Sequence, residues 1–150
     1  MPTKPKKILV ATDFSDGSDE ALDHAIDYGQ RTGASLDLFH VVEVPADGGL
    51  PFGPAYFEDQ SALIAFVEQE LGKRADRVRA AGLACHTRML EGHAAEEIVA
   101  RAREIGADVV VVGTHGRRGL AHVLLGSVAE RVVQRSGCPV LTVPFSRKAA

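Results

Sequence analysis

Residues 108–113 read Asp108-Val109-Val110-Val111-Val112-Gly113, four consecutive valines closed by a glycine. A β-branched run this short is a strand, and its lack of alternation means that both faces are buried, as in a parallel sheet covered by helices. Upstream, His93–Glu104 has helical spacing, with Ile98, Val99 and Ala102 inward and Gly106 as its stop. Before it, Leu83–Leu90 reads as another strand. Downstream come a loop from Thr114 to about Leu125, a helix over Ser127–Arg135, and a strand, Val140–Val143, framed by Pro139 and Pro144.

The N-terminal half alternates in the same way. Lys7–Ala11 is a short buried strand stopped by Thr12-Asp13. Ser15–Arg31 is a helix that Ser15 or Asp16 caps and Gly33 ends, with Leu22, Ala25, Ile26 and Gly29 inward. Leu36–Val44 is a strand with Leu36, Leu38, His40 and Val42 on one face and Phe39 and Val41 on the other. The breaker-rich loop Pro45–Ala55 reads either as a lid or as slack. Glu58–Ala81 is an amphipathic helix with Leu63, Phe66, Val67, Leu71, Ala75 and Val78 as its stripe. The order β-α-β-α-β-α-β-α-β predicts one α/β domain over residues 1–150, with its core at about 6–144, built as a doubly wound parallel sheet with helices on both faces. Ligands of such sheets bind beyond the carboxyl ends of the strands, at the switch in strand order. The loops after the first and fourth strands are therefore the places to look.

Composition narrows the function only by exclusion. With 17 Lys plus Arg against 20 Asp plus Glu, the net charge is −3, and no basic surplus points to nucleic acid or an anionic membrane. Trp is absent and aromatics are 5%, so base-stacking platforms are not expected and the core is aliphatic. Cys85 and Cys138 make neither a disulfide framework nor a zinc set, which favours a reduced, cytoplasmic setting. Neither apolar run, Ile8–Ala11 or Val109–Val112, is long enough to be a signal peptide core or a membrane span.

The loop after the valine strand carries the chemistry. From Gly113 to Ser127 the spacing is G-x2-G-x9-G-S, with Gly113, Gly116, Gly126 and Ser127 at its fixed positions. Glycines permit close backbone approach, and the opening turn of the following helix offers free N–H groups and a positive dipole end to an anion. Ser127 and Glu130 also have capping-box spacing. The plainer alternative is a strand-end turn at Gly113 and an N-cap at Ser127. No Lys precedes Ser127, so this is not a Walker A loop. Nor is it the dinucleotide fingerprint, because Thr12-Asp13-Phe14-Ser15 stands after the first strand.

The stretches VVVVGTHGRRGLAHVLLGSVAERVVQRSGCPVLTVP, KILVATDFSDGSDEALDHAI, LDLFHVV and EGHAAEEIVARAREIGADVVVVGTHG together resemble the universal stress protein family over about Lys6 to Pro144. The resemblance implies a five-stranded Rossmann-like sheet of order 3-2-1-4-5. Because every position of the glycine motif is kept, it also implies the branch of that family that binds ATP. Carried over, Gly116, Gly126, Ser127 and Val128 would hold the phosphates, Asp13 and Gly113 would meet the ribose, and Thr12 and Val41 would line the adenine pocket. It further implies a homodimer paired through the last strand, Val140–Val143, whose apolar edge invites a twofold mate.

Other residues are weighed beside these. His115 is placed in the nucleotide site, and Arg118 with Arg117 either folds over the phosphates or is a solvated loop arginine. His115 and His122 lack metal-ligand spacing, so no metal site is expected in the chain, and Mg²⁺ would arrive with ATP. His40 reads as a satisfied core or strand-end histidine, and His24, His86 and His93 as surface or cap positions. Cys85 and Cys138 read as small buried residues. Asp13 is the only carboxylate in the expected strand-end cluster, so hydrolysis is poorly equipped. The expected function is an ATP-binding regulatory stress protein with no catalytic residues. An ATP-cleaving enzyme, faintly suggested by Ser15-Asp16-Gly17-Ser18-Asp19, and a nucleotide-independent dimeric adaptor are the alternatives.

Overall fold

In the computed structural model, residues 4–43, 60–115 and 125–146 are described. The elements are β1 (Lys7–Ala11), α1 (Asp16–Thr32), β2 (Ser35–Glu43), α2 (Gln60–Ala80), β3 (Cys85–Gly92), α3 (Ala94–Ile105), β4 (Val109–Gly113), α4 (Ser127–Arg135) and β5 (Val140–Val143). All strand pairs are parallel, and the sheet order is β3-β2-β1-β4-β5. The order reverses between β1 and β4, so the crevice that such sheets offer to ligands opens beyond Ala11 and Gly113.

Two apolar layers flank the sheet because strand side chains alternate. Ile8, Val10, Leu36, Leu38, Val109 and Val111 pack with Ala21, Leu22 and Ala25 of α1 and with Val67, Leu71, Ala75 and Val78 of α2. Leu9, Phe39, Val41, Val110 and Val112 pack on the other side with Ala95, Ile98 and Ala102 of α3 and with Ala129 and Val132 of α4. The valine strand thus feeds both layers, and burying each such side chain contributes about 1.5–3 kcal/mol. Asp108, just before it, accepts from the backbone N–H groups of Lys6 (2.8 Å) and Lys7 (3.0 Å), and these bonds hold its carboxyl below the ordinary range.

The predicted helix stops are the observed ones. Gly33 (φ 77°) and Gly106 (φ 64°) end α1 and α3 in the left-handed region, where a side chain is strained. Ser15 caps α1, its hydroxyl accepting from the Ser18 N–H. Three expectations shift. The third strand starts at Cys85 rather than Leu83, because the Leu83 N–H is bonded to Val78 O at the end of α2. Phe66 is no part of the buried stripe: it is 48% exposed. Cys138 is half-buried rather than core. Val44, the loop 45–55 and residues 58–59 lie outside the described residues.

The two thiols differ in kind. Burial pushes the Cys85 thiol up to about 11, an effect that Arg79 partly opposes and Asp37 reinforces. Native protein treated with iodoacetamide at pH 8 is therefore expected to label at Cys138 well before Cys85, as followed by peptide mass spectrometry. Labelling at equal rates in buffer, and not only in urea, would contradict this placement.

Candidate functional site

The crevice begins where β1 ends. Thr12 is buried, and its N–H continues the ladder to Phe39 O at 2.9 Å. Its hydroxyl accepts from the Phe14 N–H (3.1 Å) and lies 3.2 Å from Ser18 Oγ, which in turn donates to Ser15 O at 2.9 Å. The Asp13 carboxylate accepts from the N–H of Ser15 (3.0 Å) and from its hydroxyl, so the predicted ribose contact is also the brace of this turn. Phe14 has φ 65° and is the one non-glycine residue with positive φ among those described. A bulky residue there costs on the order of 1–3 kcal/mol and persists only when its surroundings enforce it.

The other side of the crevice is built by backbone contact. A Cβ at Gly126 would lie 2.8 Å from Thr114 O, one at Gly113 3.1 Å from Gly17 O, and one at Gly17 2.8 Å from His115 O. None of the three has the left-handed φ that favours glycine. They are glycines because the first turn of α1, the end of β4 and the start of α4 meet without room for side chains. The Gly126 N–H also donates to Thr114 O, and the Thr114 N–H to Val143 O at 3.0 Å. His115, next along the chain, shares a 2.9 Å hydrogen bond between its Nδ1 and Thr114 Oγ1.

The N-cap of α4 is Gly126 (φ −66°, ψ 160°), not Ser127, and no side chain caps it. The capping box expected between Ser127 and Glu130 is replaced by a backbone bond from Glu130 N–H to Gly126 O at 2.9 Å. Ser127 is thus the first helical residue, and it is partly exposed. The first-turn N–H groups precede any intrahelical bond, so this helix end suits an anion. Ser127 and Val128 line a cleft of about 140 Å³ with Glu43, His93, Ala94, Glu96 and Arg131. Val41, two residues before Glu43, is buried in the layer beneath α3 and α4.

Of the predicted site residues, Thr12, Asp13, Gly113 and His115 gather around the first turn of α1, and Gly126, Ser127 and Val128 open α4 beside them. Gly116 and Arg118 lie outside the described residues. Two further carboxylates, Glu43 at the end of β2 and Glu96 in the first turn of α3, line the cleft at the start of α4. No motif reveals either, because they sit on a strand end and a helix start far away in sequence. His40 is the satisfied histidine expected: it is buried, and its Nδ1 donates to Thr12 O at 2.8 Å. Among the described residues, no three His, Cys, Asp or Glu side chains cluster to hold a metal ion. No helix among them is long and apolar enough to cross a membrane.

The order of the sheet, the crevice at its switch point and the glycine-packed helix start define a doubly wound α/β domain. The profile of the universal stress protein family matches residues 4–144, and the chain belongs to that family. It is 42% identical over 144 residues to universal stress protein MJ0531 of Methanocaldococcus jannaschii, covering 95% of this chain and 84% of that one. It is 35% identical to universal stress protein YxiE of Bacillus subtilis over 91% of this chain and 97% of that one. The solved structure of MJ0577, from Methanocaldococcus jannaschii, superposes with a TM-score of 0.87 at 28% identity, covering 97% of this chain and all of that one. A universal stress protein solved in complex with cAMP superposes with a TM-score of 0.69 at 30% identity, covering 94% and 98%.

Proposed function

We propose that this protein binds ATP at the crevice between β1 and β4 and acts as a regulatory stress protein with little or no hydrolysis. The observation that carries this reading is the uncapped start of α4, packed by Gly126 onto Thr114 within an intact G-x2-G-x9-G-S motif. Adenine-nucleotide recognition by a relative of 30% identity, crystallised with cAMP, supports it. The N–H groups of Ser127 and Val128 and the Ser127 hydroxyl would take phosphate oxygens, together with Gly116, Arg118 and His115. Asp13 and Gly113 would meet the ribose, and Thr12 and Val41 the adenine. Mg²⁺ would be carried by the phosphates and water.

Chromatography of nucleotide released by heating, followed by calorimetric titration of ATP with Mg²⁺, tests the reading. Co-purifying adenine nucleotide or a saturable heat supports it, and neither signal would remove it. Glu43 and Glu96 at the cleft make the ATP-cleaving reading worth its own assay. Steady-state phosphate release under the same conditions separates the two. The pyrophosphatase-like reading of Ser15–Asp19 has less support, as Ser15 caps α1 and the following residues are its first turn.

We also propose a homodimer. β5 is an edge strand, with Leu141 (40%) and, on the neighbouring helix, Val133 (46%) exposed. Light scattering is expected to give a dimer mass. An adaptor working through that surface would survive loss of nucleotide binding.

A further inference from the structure

Phe14 has no place in the glycine motif, yet among the described residues it is the one non-glycine held at positive φ. Its ring stacks on His40 with centroids 4.3 Å apart and an interplanar angle of 21°, and the Arg74 guanidinium lies 4.8 Å from its centroid. Phe66 meets it edge-on at 6.2 Å. Arg74 comes from α2, distant in sequence from β1, and is only 8% exposed. Its five N–H donors are all used: Nε to Asp19 Oδ1 (2.6 Å), Nη2 to Asp19 Oδ2 (3.1 Å) and Phe14 O (3.3 Å), and Nη1 to Glu70 O (3.1 Å) and Glu70 Oε2 (2.8 Å). His40, at the other contact of the ring, holds Thr12 O.

We infer that the column Arg74–Phe14–His40 is a positioning device for nucleotide recognition, fixing the Thr12–Ser15 turn so that it presents Asp13 to the ribose. Two elements distant in sequence, α2 and β2, grip this turn, and α1 anchors one of the two gripping side chains. Arg74 holds the carbonyl of Phe14, His40 holds the carbonyl of Thr12, and α1 holds Arg74 through Asp19. A residue forced to φ 65° returns to the ordinary region once that grip is lost, and the Asp13 peptide on its N-terminal side turns with it. Packing alone would be met by an aliphatic residue in a relaxed conformation. The side chains used here are instead a fully bonded guanidinium and two stacked rings, which fix direction as well as volume.

The inference rests on the ATP reading, with Asp13 at the ribose, and its test separates the two. Affinities for ATP and for 2′,3′-dideoxy-ATP are measured for the wild-type protein, Asp13→Ala, Phe14→Gly, Phe14→Tyr and Arg74→Met. Amide hydrogen exchange is followed at Phe14 and Ser15. Glycine keeps the left-handed conformation available without the ring, and tyrosine keeps the ring. In Phe14→Gly and Arg74→Met the preference for ATP is expected to fall about threefold or more, while exchange at Phe14 and Ser15 rises about tenfold and the α1 interior is unchanged. Phe14→Tyr is expected to keep both. If Asp13→Ala removes the preference but Phe14→Gly and Arg74→Met retain it, the positioning role is overturned. If Asp13→Ala leaves the preference untouched, the ribose reading fails and the positioning role falls with it, and the exchange rates then report only whether the column braces the turn.

Discussion

Gly126→Val is expected to abolish measurable adenine-nucleotide binding, more than a hundredfold in affinity, while the sheet stays folded. The reason is geometric. The Cβ of any other residue here falls 2.8 Å from Thr114 O, a backbone atom that has no rotamer to escape into. Thr114 is itself tied to Val143 of β5 by a 3.0 Å hydrogen bond, so the collision is relieved by moving α4 rather than β4. Moving α4 withdraws the N–H groups of Ser127 and Val128 together, and with them the backbone donors proposed for the phosphates. Overpacking of this kind costs about 1–3 kcal/mol of stability, well within the reserve of an ordinary domain. Ser127→Ala removes one hydroxyl and is expected to lower affinity only about tenfold. Calorimetry gives the affinities, and circular dichroism with a thermal scan shows that both variants are folded. A Gly126→Val protein that binds ATP like the wild type would put the nucleotide somewhere other than the start of α4.

The fold is legible in the amino-acid sequence because its signals are local: a four-valine strand has no polar face, and glycines past the helix ends mark α1 and α3. The proposed anion cradle is legible because the glycines of its motif stand at fixed intervals. The reason for those glycines is not, since Gly113 and Gly126 are needed for backbone contacts with Gly17 and Thr114 rather than for unusual φ values, and contact partners are set by tertiary packing. Gly17 itself reads as part of a helix start or of the Ser15–Asp19 stretch, and neither reading shows its contact with His115. Phe14 and Arg74 are silent in the sequence for the same reason: 60 residues separate them, and Arg74 reads as one more polar position on a helix face until the fold turns it toward Phe14. Phe66 reads as core because helical spacing cannot tell a buried stripe from one whose end runs past the sheet.

Asp37→Ala should cost about 2–3 kcal/mol of stability. Asp37 lies on β2, 7% exposed, and its two oxygens take Arg101 of α3 at 2.7 and 3.3 Å. Burial works against the Arg101 charge, but the bonds to Asp37 outweigh it and hold the guanidinium above its ordinary value. Removing Asp37 leaves that charge half-buried. The figure is set below the roughly 3–5 kcal/mol typical of a broken buried pair because Glu104, at 3.2 Å, still offers Arg101 a partner near solvent. Exposed pairs such as Arg31–Asp27 are worth only about 0.5 kcal/mol or less. Urea unfolding reads the loss as a lower midpoint with an unchanged slope. Replacing both partners, Asp37→Leu with Arg101→Leu, should recover most of it, because a matched apolar pair avoids the desolvation that the ion pair had to overcome. β2 runs on from Asp37 to Glu43, and α3 begins beside His93, so both elements end at the cleft next to Ser127. If the ion pair only joins these elements, the double variant should bind ATP as the wild type does. A double variant that regains its midpoint but binds ATP weakly would show that the buried charges themselves set the angle at which α3 meets the site.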